Sequence, residues 1–66
     1  MIATIHHRKP KSLGGKREPR NVTLLSPKQH DAWHTLFENM TPEQIAEVIN
    51  AKYLDPDFQF VVRRKD

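Results

Sequence analysis

With 66 residues, 11 lysines and arginines against 8 acidic residues, and a formal charge of +3, the chain can form one domain at most, and its isoelectric point lies near 9.6. A domain this short buries only about 60% of the surface its unfolded form exposes, and the absence of cysteine rules out a disulfide staple and fits a reducing compartment. No apolar run approaches the ~18 residues of a membrane span, and Met1–Ile5 is too short for a signal-peptide core, so a soluble, cytoplasmic protein with no membrane partner is expected.

In chain order, Met1 to His7 alternates loosely and carries two isoleucines and a threonine, which predicts a short strand ending at a histidine pair. Lys9-Pro10 and Gly14-Gly15 then break regular structure, so residues 8 to about 20 form a loop. Val22 to Leu25 is a second strand. The connection holds no helical pattern, which favours an antiparallel hairpin over a crossover. Ser26-Pro27-Lys28-Gln29 has the composition of a helix start: a capping serine, a proline at the first helical position, and a glutamine three after the cap.

Along that helix Trp33, Phe37 and Met40, with Leu36 beside them, fall at helical spacing and are expected in the core. His30 and His34 stand at i and i+4, one turn apart on one side. Thr41-Pro42-Glu43-Gln44 repeats the cap grammar, so a second helix should run to about Lys52 with Ile45, Val48 and Ile49 as its apolar stripe. Leu54 to Asp57 reads as a turn. Phe58 to Val62 reads as a last strand or extended tail, followed by Arg63-Arg64-Lys65.

Positive charge is not spread evenly. Arg8, Lys9, Lys11, Lys16, Arg17 and Arg20 lie between the histidine pair and Asn21, opposed there only by Glu18. A phosphate backbone approaching the histidines would be attracted to this loop, and Lys28 at the start of the helix adds to it. The plainer explanation is a solvated loop kept soluble by its charges. Each histidine has a plain explanation too, as a polar strand end or a side chain packed beside Trp33, and an asparagine before a strand is common in turns.

Taken together, His6-His7-Arg8-Lys9-Pro10-Lys11-Ser12-Leu13-Gly14-Gly15 followed by Asn21-Val22-Thr23-Leu24-Leu25-Ser26-Pro27-Lys28-Gln29-His30-Asp31-Ala32-Trp33-His34 resembles the HNH endonuclease family, and more narrowly the ββα-metal motif of the colicin-type nuclease domains. The likeness covers residues 4 to 35, about half the chain, and leaves out the second helix and the C-terminal segment. It implies a small α+β fold of the ββα-metal type, an antiparallel β-hairpin packed on a helix, with a second helix and a short C-terminal strand or tail. Residues 1–66 are then one domain, with the motif core at about 4–38 and the C-terminal helix and strand at 41–63.

By the same resemblance His6, His30 and His34 hold one divalent metal ion, which would also supply the missing staple because its binding free energy counts toward folding. Zinc, nickel, magnesium and manganese all remain open, since affinity order alone does not decide use. His7 is the general base that takes a proton from the attacking water, a task suited to an imidazole whose ordinary pKa is ~6.5. Asn21 completes the catalytic set as a positioning residue whose amide holds the loop backbone. The implied reaction is hydrolysis of phosphodiester bonds, DNA ahead of RNA, leaving a 5′-phosphate and a 3′-hydroxyl.

The chain departs from many HNH proteins in having no bracing cysteine pairs and only five residues before His6. Strong sequence-specific recognition by this chain alone is therefore not expected. A homodimer, a larger partner protein or low specificity would each answer this. The competing function is a non-catalytic, metal-stabilised nucleic-acid-binding module, and a third is an interaction adaptor using the helix from Glu43 to Lys52.

Overall fold

The computed structural model describes residues 2–65 and has a small α+β fold, a two-stranded antiparallel hairpin followed by two helices. Strand β1, Thr4–His7, pairs with β2, Val22–Leu25, so that Thr4 faces Leu25 and His6 faces Thr23. The first strand was expected from Met1; Met1 lies outside the described residues, and pairing begins at Thr4. Between the strands the expected loop contains one turn of 3-10 helix, Lys11–Leu13, which Gly14 terminates in the left-handed region at φ 90°. A side chain there would be strained, which explains the first glycine. The second is required by crowding, because a Cβ on Gly15 would overlap the Lys9 carbonyl.

Helix α1, Pro27–Phe37, starts where the sequence predicts. The Gln29 N–H donates to Ser26 Oγ at 3.2 Å, and the Ser26 N–H donates to Gln29 Oε1 at 3.2 Å, closing a capping box. Helix α2, Pro42–Val48, begins with the same device, built from Thr41 and Gln44. Each cap is worth about 0.5–2 kcal/mol, enough to fix two short helices that propensity alone would leave frayed. Beyond Val48 the chain continues into a π-helical turn, Ile49–Tyr53, closed by the Leu54 N–H on the Ile49 carbonyl at 2.9 Å. The second helical segment therefore ends one residue beyond Lys52, and its last turn is wider than α. No helix among the described residues is long and apolar enough to cross a membrane.

The segment Phe58 to Val62 is the tail of the two expected forms. It joins no ladder; instead Asn50, in the π turn, receives the Phe60 N–H on Oδ1 at 2.8 Å and donates Nδ2 to the Phe60 carbonyl at 2.9 Å. One amide side chain thus substitutes for a neighbouring strand. Asp55 sets the preceding turn by accepting the Asp57 N–H on its carboxylate at 3.0 Å.

The core is small. Phe37 is its buried apolar residue among those described, and His6 is the buried polar one. Trp33 links them, its ring centroid 4.7 Å from Phe37 and 5.4 Å from His6. Leu36 and Met40 were expected beside them, but Leu36 is 40% exposed and Met40 lies past the end of α1, half-buried. At 100° per residue Leu36 falls roughly 80° from the centre of the stripe between Trp33 and Phe37, which turns it toward solvent.

Candidate metal and nucleic-acid site

Alternation along β1 puts Thr4 and His6 on the face that packs against α1, with Ile5 and His7 on the other. His6 is only 8% exposed, and its ring meets His30 and Trp33 edge-on, each at 5.4 Å. On α1, His30 and His34 flank the core stripe on the side opposite Leu36, with ring centroids 4.7 Å apart. All four histidines line one cleft of about 360 Å³, together with Lys11 and Glu38. A cleft lined by imidazoles and open to solvent is a place where a cation and an anionic substrate could meet.

Part of the donor set has the spacing a divalent ion requires. His30 Nε2 and His34 Nε2 stand 3.2 Å apart. Two imidazole nitrogens on one tetrahedral ion at ~2.0–2.1 Å would be about 3.3 Å from each other, so this pair has ligand spacing. Among the described residues no set of three His, Cys, Asp or Glu groups stands in coordinating geometry. The expected trio is therefore brought together as a cluster in which His30 and His34 converge and His6 touches His30 edge-on. Chemically the residues fit, since a ligand imidazole must be neutral and His6 is held that way. Burial first, then the neighbouring His30, His34 and His7 rings and Arg8, lower its pKa below the ordinary 6.5.

That shift has a sign that can be measured. Unfolded, His6 takes up a proton near 6.5; folded, it resists until a lower pH. Its contribution to stability is therefore complete above the unfolded value and is lost as pH falls through the folded one. Metal-free protein should melt at a constant temperature down to pH ~6.5 and at progressively lower temperatures as the pH falls below it, followed by Trp33 fluorescence. A flat or rising melting temperature over that window would contradict the burial of a neutral His6.

His7 is half-buried, and its Nε2 is buried with no hydrogen-bond partner. Neither ring nitrogen is tied to the protein by a hydrogen bond among the described residues. Just beyond it, Asn21 clamps the loop. Its Oδ1 accepts the Lys9 N–H at 2.7 Å, and its Nδ2 donates to the carbonyls of Lys9 at 3.2 Å and Lys16 at 2.9 Å. The Asn21 carbonyl also accepts the Arg8 N–H at 2.7 Å. The strand end carrying His7 is thereby fixed to the loop through backbone on both sides.

The basic residues separate into groups. Arg8, Lys9, Lys16 and Arg20 gather around a second cleft with Gly15 and Asn21, while Lys11 faces the histidines. Arg17 and Lys28 are exposed and line neither cleft. Two site residues were not anticipated from the sequence. Thr4 Oγ1 lies 2.8 Å from His30 Nδ1; its position two before His6, on the same strand face, was the available signal. Glu38 caps α1 at φ 46° and ψ −122°, a positive-φ conformation that a non-glycine residue rarely adopts, and it lines the histidine cleft. Nothing in its sequence neighbourhood announces that conformation. Comparison of the chain with protein-family models, curated proteins and solved structures finds no match.

Proposed function

We propose that the protein is a metal-dependent endonuclease of the HNH type, hydrolysing phosphodiester bonds in DNA. The observation that carries this reading is the convergence of all four histidines on one cleft, with the His30 and His34 nitrogens 3.2 Å apart and His7 beside them on the clamped strand end. His6, His30 and His34 would hold the ion. A divalent cation, when bound, supplies Lewis-acid neutralisation of the phosphate charge.

The remaining work belongs to the chain. His7 takes a proton from water as the water oxygen bonds to phosphorus and the bond to the leaving oxygen breaks, after which the leaving oxygen is protonated from solvent. Asn21 keeps that histidine's strand end and the loop in one arrangement. Arg8, Lys9, Lys16 and Arg20 attract the phosphate backbone, and Lys11 faces the site itself. The reaction is expected in the cytoplasm.

The separation of the basic cleft from the histidine cleft favours a second reading, a binding module whose metal is structural. Nicking of supercoiled plasmid by chelator-stripped protein, with magnesium, manganese, nickel or zinc restored singly, decides between them. The nuclease reading expects nicking that appears only with metal. Protein that binds metal and DNA yet nicks with none of the four supports the module.

A further inference from the structure

We infer that Thr4 fixes the tautomer of His30, so that His30 Nε2 presents a lone pair into the histidine cleft before any metal arrives; the consequence for metal binding rests on the reading above. Thr4 Oγ1 stands 3.1 Å from the Leu25 carbonyl oxygen and 2.8 Å from His30 Nδ1. The hydroxyl has one proton, and a carbonyl oxygen can only accept. Both contacts are hydrogen bonds only if that proton goes to Leu25 and Oγ1 accepts from His30, which places the His30 proton on Nδ1. A neutral imidazole protonated on Nδ1 has a bare Nε2.

This bare nitrogen is the one 3.2 Å from His34 Nε2. In metal-free protein His34 donates its Nε2 proton across that gap. Only His34 must then move or release a proton for both nitrogens to turn to one ion. The backbone supplies the device: β-pairing sets Thr4 opposite Leu25, so the acceptor that orients the hydroxyl is part of the hairpin ladder. Threonine suits the position because its branched side chain is stiff at χ1. Thr4 is a positioning residue, acting through His30 in the way that outer partners orient metal-ligating histidines.

The test uses the full chain and two readouts. Nitrogen-resolved NMR of the imidazoles in metal-free protein, at about pH 7.5 and so above ordinary histidine titration, should show His30 protonated on Nδ1. Thr4→Val, which keeps the shape and removes the hydroxyl, should shift His30 toward the other tautomer and weaken zinc binding about 10–100-fold, whereas Thr4→Ser stays close to the parent in both. An Nε2-protonated His30 in the parent overturns the inference, as does Thr4→Val with unchanged tautomer and zinc affinity. If Thr4→Val does not fold, the parent spectrum and Thr4→Ser still decide. A parent that takes up no zinc, nickel or manganese defeats the metal reading, while the spectrum of that same metal-free protein judges Thr4 separately.

Discussion

Replacing His7 with alanine is expected to lower plasmid nicking by about 10²–10⁴-fold, the range for loss of a positioned general base, while metal binding and thermal stability stay close to those of the parent. The second half of that expectation separates a chemical role from a structural one. His7 Nε2 is buried without a partner, and such a group costs stability where it sits. Truncation removes the orphan along with the ring. The contacts that hold this strand end, from Arg8 N–H to the Asn21 carbonyl and from the Asn21 amide to Lys9 and Lys16, all use backbone on the loop side and survive the substitution.

His7 also lies off the strand face that carries His6 toward His30 and His34. Its loss therefore leaves the ligand cluster intact. The check is a paired measurement on one preparation, nicking rate with the most active metal and zinc affinity by titration. Nicking within a few-fold of the parent would remove His7 from the mechanism. A parallel fall in metal binding would make it part of the metal site instead.

Much of this arrangement is legible in the sequence because it is written in local rules. Both capping boxes could be read from residues three apart, and both form. The hairpin followed from two β-branched segments and a connection with no helical period. Asn21 could be singled out beside the histidines, but its three loop hydrogen bonds span up to 12 residues and depend on where the two glycines turn the chain.

What escaped depends on packing rather than on pattern. Phe58 to Val62 stays open between strand and tail, because composition does not say whether a partner strand is within reach; the Asn50 amide takes both backbone groups of Phe60 instead. Leu36 is as apolar as its neighbours and is turned out by its angular position on the helix. Thr4 meets His30 across 26 residues of sequence, a contact that exists only once the hairpin has docked on α1. The bare convergence of His30 and His34, by contrast, was implicit in their spacing of four.

Phe37→Ala should have the largest effect on stability, a loss of about 3–5 kcal/mol, the usual cost of emptying a buried phenylalanine position. A 66-residue domain holds on the order of 3–10 kcal/mol in total, so the variant is expected to be largely unfolded without metal. Phe37 is the buried apolar residue of the described chain, and Trp33 packs on it at 4.7 Å while also meeting His6 at 5.4 Å. Removing the ring therefore loosens the wall against which His6 is held, and the cluster beside it. At about 4–8 °C per kcal/mol for a domain of this size, a variant that still folds should melt at least ~12 °C below the parent. Trp33 is the chain's one tryptophan, so its fluorescence reports the same event as a red shift. Saturating zinc should restore part of the loss, because a ligand bound only by the folded form shifts the equilibrium by mass action. A melting temperature within a few degrees of the parent would place the core elsewhere and detach the histidine cluster from it; a large loss that zinc does not offset would mean that the cluster takes up no ion once its wall has gone.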